Sequence, residues 1–122
     1  MSHEAIPEKL SVPLASLVNL GVEHWRLLTT LGKALEVSGA GPLRHGLRKI
    51  DDFLKQCELE VRNMTGQPFD AGLAVRVIDT IDDPDLAEGS LVIDETLSPM
   101  VLWRGQVVKP ADVVTRQGRA RG

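Results

Sequence analysis

The sequence predicts an α+β fold: an N-terminal antiparallel helical hairpin forming a dimeric four-helix bundle, followed by a small C-terminal all-β domain. Three observations predict it. Apolar residues recur at alternating steps of four and three in two stretches, Leu14 to Val37 and Leu43 to Met64. The run Ser38-Gly39-Ala40-Gly41-Pro42 separates those stretches. After Thr65 the apolar period changes from helical to alternating. The chain therefore divides into a polar lead-in (1–13), a helical dimerisation region (14–65), a β-domain (66–115) and a basic tail (116–122) expected to be disordered.

Pro13 sits where a helix opens, with Ser11 before it as a candidate cap. One stripe of the first helix holds Leu14, Val18, Gly21, Trp25, Leu28, Gly32 and Leu35. A neighbouring stripe holds Leu17, Leu20, His24, Leu27, Leu31 and Ala34. Two adjacent apolar stripes call for two helix neighbours, as in a four-helix bundle. The Gly-Pro break ends this helix and starts the next. The second helix is expected from Pro42 to Met64, with Leu43, Leu47, Ile50, Leu54, Cys57, Val61 and Met64 on one face. A short link makes the two helices antiparallel neighbours. A second copy packed on Leu17, Leu20, Leu27 and Leu31 would cover the second stripe. The β-region could cover it instead, but that region is small and must also cover itself.

Leu73, Val75 and Val77 alternate with Ala74, Arg76 and Ile78, as in a strand. Asp82 to Gly89 is an acidic turn. Strands are expected at Leu91–Thr96, Met100–Trp103, Gln106–Lys109 and Ala111–Thr115, with a tight turn at Arg104-Gly105. Four or five short strands make a compact sandwich or small barrel.

The chain has 122 residues and a formal net charge of -3, which argues against a general nucleic-acid binder. Its single cysteine, Cys57, forbids an intrachain disulfide and fits a reducing compartment. No basic-then-apolar leader opens the sequence, and no apolar run is long enough to span a bilayer. A cytoplasmic protein without membrane contact is expected. Asp82, Asp83, Asp85 and Glu88 lack the spacing of a calcium loop, and His3, His24 and His45 offer no metal spacing. There is no phosphate-binding loop, dinucleotide fingerprint or serine elbow. The expectation is therefore a protein with no cofactor, no metal and no catalytic residues. Arg104 and Lys109 are rare cations in an acidic β-region, beside Trp103, and are the leading candidates for partner contact. Trp103 also suits the core of so small a unit. Asp70 should bond to backbone amides in the turn that follows it.

Gly66-Gln67-Pro68-Phe69-Asp70, then Gly89, then Lys109-Pro110-Ala111-Asp112-Val113 follow one another in an order that resembles GrpE. GrpE is the nucleotide exchange factor of DnaK-type heat-shock chaperones. Its family pattern runs Gly-x-x-Phe-Asp-Pro-x-x-His-Glu-Ala, then a central glycine, then Arg-Pro-Ala-x-Val. Leu31 to Val37 also resembles the stretch before that family's helix–helix turn. The likeness covers about Leu14 to Thr115. Departures are Ala71 for proline, Ala74-Val75-Arg76 for His-Glu-Ala, Ser98-Pro99 for Gly-Tyr, and Lys109 for arginine. Only 13 residues precede Leu14, where the family carries a long helical stalk.

The resemblance implies a homodimeric co-chaperone, not an enzyme. Its β-domain would open the cleft of the chaperone's nucleotide-binding domain and promote ADP release. It implies partner contacts at Lys109, at Glu95 on the central strand and at Arg62 near the β-domain, and a junction built on Gly66, Phe69 and Asp70. Two alternatives stand beside it: a non-exchanging scaffold with the same fold, and a small enzyme with a site at the dimer groove.

Overall fold

The computed structural model describes residues 5–119. The fold is α+β, with two α-helices and six strands in two sheets. Helix α1 spans Leu14–Leu31 and α2 spans Gly41–Gln56. Strand β1 (Leu59–Arg62), β4 (Met100–Trp103) and β5 (Gln106–Lys109) form one antiparallel sheet in the order β1-β4-β5. Strand β2 (Val75–Asp82), β6 (Ala111–Gln117) and β3 (Leu91–Ser98) form the other, in the order β2-β6-β3. There β2 runs parallel to β6, and β3 antiparallel to it.

The three-layer order follows from the alternation of side chains along β4. Met100 and Leu102 pack with Met64, Ile93, Ala111 and Val113, between the two sheets. Val101 and Trp103 point the other way and pack with Val18, Val22, Leu54 and Leu59 beneath the helices. The first sheet is thus the middle layer. Its β1 presents Leu59 and Val61 to the helices, while Glu60 and Arg62 are exposed. The polar groups inside are paired. Thr96 Oγ1 accepts from Met64 N at 3.0 Å, and the Thr115 and Thr80 hydroxyls meet at 2.9 Å. His24 is buried, and its Nε2 lies 2.8 Å from the Leu47 carbonyl. A carbonyl only accepts, so Nε2 carries the proton.

Four sequence expectations need correction. The first helix does not run to Val37. Gly32 turns the chain at positive φ, and Gly32–Glu36 continues as a 3₁₀ segment. The second helix does not reach Met64. It ends at Gln56, Glu58 adopts a left-handed conformation (φ 64), and Leu59–Arg62 pairs with β4. Cys57, Val61 and Met64 match the four-three spacing, but Leu-Glu-Val-Arg also alternates, and pairing with β4 selects the strand. The boundary at residue 65 therefore falls inside a shared structure, because the helices and the middle sheet build one core. The tail expected to be disordered is ordered as far as Arg119: β6 continues to Gln117, Gly118 N donates to Ser90 O at 3.0 Å, and Arg119 pairs with Asp82 at 2.8 Å. Within the lead-in, residues 5–13 are exposed and form no helix or strand, and His3 lies outside the described residues.

The two stripes of α1 meet different surroundings. The first lies over the middle sheet, where Val18 and Gly21 are buried. In the second, Leu17 is half-buried against the helix–sheet core, and His24 reaches α2. Leu31 is half-buried, while Leu20 and Leu27 remain 38% and 48% exposed.

Gly21 is where α1 approaches β1 most tightly. A Cβ built there would lie 2.9 Å from Val61 Cγ2. Gly21→Leu is expected to cost about 1–3 kcal/mol through overpacking, read as a lower urea midpoint at unchanged slope. Gly21→Ala should be better tolerated in a Val61→Ala background than in the wild type. Additive effects in that double-mutant cycle would show that the two residues do not meet.

Candidate partner-binding surface

The β4–β5 hairpin carries the most distinctive exposed chemistry. Arg104 (φ 51) and Gly105 (φ 76) turn it with two successive left-handed residues, the geometry of a two-residue hairpin turn. Glycine suits such a position and arginine does not. Arg104 is held there by three contacts. Its backbone N donates to Glu58 O at 3.0 Å, its Nε donates to Glu58 Oε2 at 2.7 Å, and its guanidinium sits 4.4 Å from the Trp103 ring centroid. Glu58 is itself left-handed. These are the two non-glycine residues with positive φ among the described residues, and they bond to each other.

The magnitudes favour a role other than stability. Each left-handed non-glycine residue costs about 1–2 kcal/mol. An exposed ion pair returns about 0.2–1 kcal/mol and an exposed cation–π contact about 0.5–1 kcal/mol. The contacts at best offset the strain. What they achieve is to fix one guanidinium and one carboxylate beside a half-buried Trp103. Next to them, Val107 and Val108 are exposed on β5, an edge strand with one side unpaired. An arginine over a half-buried tryptophan, beside the unpaired edge of β5, can receive a protein surface.

Lys109 lies at the other end of β5, where the chain crosses to the second sheet, and its ammonium points inward. Nζ donates to Ser98 Oγ at 2.7 Å, to the Pro110 carbonyl at 3.2 Å and to the Pro99 carbonyl at 3.4 Å. Burial lowers its pKa, with Asp112 pulling the other way and Arg76 adding to the lowering. Beside it, Arg76 Nε and Nη2 bond to both Asp112 carboxylate oxygens, at 2.8 and 3.0 Å. That bond holds the Asp112 carboxyl below the usual carboxylate range and raises the Arg76 guanidinium. Arg76, Lys109, Pro110 and Asp112 line an open cavity of about 230 Å³.

The other sequence candidates are dispersed. Glu95 is exposed on β3, in register with Val114 of β6. Arg62 is exposed on β1 and pairs with Glu60 at 2.8 Å. Gly66 (φ 87) donates its N–H to Ile93 O at 2.8 Å, and Phe69 donates to Leu91 O at 2.9 Å. Asp70 Oδ1 accepts from Gly72 N at 3.0 Å. The junction is thereby stitched to β3. Arg104 and Trp103 come together at one corner, whereas Lys109, Glu95 and Arg62 do not join them. Glu58, Val107 and Val108 were not singled out by sequence reasoning. The paired valines on a returning strand are a readable signal, since alternation sends one of them outward. Nothing local marks Glu58. Among the described residues no group of three or more His, Cys, Asp or Glu could hold a metal ion, and no helix is long and apolar enough to cross a membrane.

Two outcomes separate the roles of these cations. Lys109→Met should lower the thermal midpoint, because buried Ser98 loses its ammonium partner at a cost of about 1–3 kcal/mol. Arg104→Gly should leave stability unchanged or higher, because glycine relieves the strain; a large loss would show that Arg104 is a stability residue. The Arg76–Asp112 pair contributes stability above the ordinary aspartate pKa and loses it as pH falls through the depressed folded-state value. Asp112→Asn should therefore flatten the acid limb of a stability-versus-pH curve, and an unchanged limb would contradict that assignment. In comparisons with known proteins, no family model and no curated sequence matches this chain.

Proposed function

We propose that this chain is a GrpE-like adaptor: a homodimer that binds the nucleotide-binding domain of a DnaK-type chaperone and promotes ADP release. One observation carries the reading. The residues shared with the GrpE pattern stand at the turning points of the fold. Gly66 and Gly89 are both at positive φ, Phe69 is bonded to the end of β3, and Pro110-Ala111 carries the chain from β5 of one sheet into β6 of the other. Residues at such positions are set by backbone geometry, so their shared order is more than composition. Arg104 and Trp103 supply a contact surface, and Leu20 and Leu27, with Leu17 and Leu31 flanking them, supply a seam for a second copy.

Exchange on this reading is linkage, not bond-making. A partner that prefers the open nucleotide cleft weakens ADP binding by the free energy of that preference, about 1.4 kcal/mol for each tenfold. The proposed setting is the cytoplasm, where Cys57 would stay reduced. A second reading, the non-exchanging scaffold, is favoured by Lys109. It stands where the family has an arginine, and its ammonium is already engaged by Ser98 and two prolyl carbonyls.

Stopped-flow release of a fluorescent ADP analogue from the DnaK-type chaperone of the same cell tests both. Acceleration by the wild type, reduced several-fold in Arg104→Ala, supports the exchange factor. Chaperone capture with unchanged release supports the scaffold, and no capture at saturating protein removes both. Leu20→Asp with Leu27→Asp should convert a dimer to a folded monomer in sedimentation; a wild-type monomer would remove the dimer.

A further inference from the structure

A second surface lies between the helices, away from the hairpin corner. One cavity there, of about 320 Å³, has Leu28, Leu35 and Leu47 as its apolar wall. Another, of about 170 Å³, continues past Trp25, Leu54 and Leu59. His24, Leu28 and Asp51 line both, so the two form one trough along the α1–α2 seam. From Arg44 to Lys55 the trough follows about 16 Å of helix, three turns.

Its charges are unevenly compensated. Asp51, which lines both cavities, is paired with Lys55 at 2.8 Å, and at one end Glu60 is paired with Arg62 at 2.8 Å. At the other, the Arg44 side chain donates to the Leu35 carbonyl and meets no carboxylate among the described residues. Arg48 has no hydrogen bond or ion pair among the described residues. Arg44 and Arg48 are four apart, so both guanidinium stems rise from one face of α2. In a chain of net charge -3, this end of the trough is locally cationic over an apolar wall.

We propose that the trough binds an acidic amphipathic helix of a partner protein. Its apolar side chains would cover the exposed Leu28 and the half-buried Leu35, over a floor made by the buried Leu47, and its carboxylates would meet Arg44 and Arg48. Shape and charge both select this occupant. The trough is open, with Leu28 39% exposed, so a small ligand would stay largely wet. A third helix lays a row of side chains into the groove between two others and buries it. A basic helix would face two uncompensated guanidinium groups, whereas carboxylates accept paired N–H bonds from them. The Arg44–Arg48 end of the trough has no lining residue from the Arg104–Trp103 corner, so this inference stands or falls apart from the exchange reading.

The probe is a fluorescein-labelled 18-residue peptide with leucines at i, i+3 and i+7 and glutamates flanking them. It is titrated with the full chain and followed by anisotropy. Saturable binding that weakens at least about fivefold in Arg48→Gln, and further as salt rises, is expected. Leu28→Asp should abolish it. A lysine-for-glutamate peptide and a scrambled peptide of the same composition should not bind. Arg48 is exposed and has no partner among the described residues, so Arg48→Gln should keep the wild-type thermal midpoint and answer the question even if Leu28→Asp fails to fold. Equal binding of the scrambled peptide, or equal binding to Arg48→Gln, overturns the proposal. So does a trough filled by a second copy, seen as a dimer that binds no peptide and dissociates in Leu28→Asp.

Discussion

Strand β4 is the element on which the rest of the structure depends. Its four residues alternate between two cores, Met100 and Leu102 facing the second sheet and Val101 and Trp103 facing the helices. A shift of one residue in its register would exchange these sets and disrupt both layers at once. Pairing on both sides holds the register. On one side Leu59 lies opposite Trp103 and Arg62 opposite Met100, and on the other β5 returns through the Arg104-Gly105 turn. The backbone bond from Arg104 to Glu58 closes the end of that ladder. The strained hairpin corner and the alignment of the middle sheet are thus one arrangement, so a surface presented there is held by the whole core.

The two ends of β5 illustrate how similar residue types separate by environment. Both Arg104 and Lys109 are cations on a hairpin of four-residue strands. Arg104 lies over an aromatic face and bonds a carboxylate while keeping most of its guanidinium in water. Lys109 donates to three oxygens where two proline-bearing segments meet, and prolines leave carbonyl acceptors there without matching amide donors. One cation is available to another molecule, and the other completes the hydrogen bonding of its own chain.

Much of the fold was legible in the sequence, and the parts that were not share a cause. The hairpin of helices, β4, β5 and the Arg104-Gly105 turn follow from local period and turn chemistry. Strand β1 does not, because Cys57, Val61 and Met64 continue the four-three spacing of the helix while Leu59 and Val61 also alternate as in a strand. The choice is made by β4, far along the chain. The parallel pairing of β2 with β6 is likewise a tertiary fact with no local signature. At the candidate site, Arg104 and Trp103 were readable as an unusual cation–aromatic pair. The inward turn of Lys109 was not, since it depends on Ser98 and Pro99 arriving beside it. The cationic end of the helical trough was half visible as the basic run from Arg44 to Lys49, but its apolar wall needs Leu28 and Leu35 from the other arm.

The order of synthesis gives the parallel pairing of β2 with β6 a further meaning. Both helices and β1 leave the ribosome before β4 exists to cover Val18, Val22 and Leu59. Strand β2 then waits for β6, the last strand among the described residues, which completes its sheet. Contacts between such distant segments form slowly, because closing the long loop between them must precede any gain. Until β4 arrives, the emerging helical hairpin therefore leaves Val18, Val22 and Leu59 without the strand that packs over them.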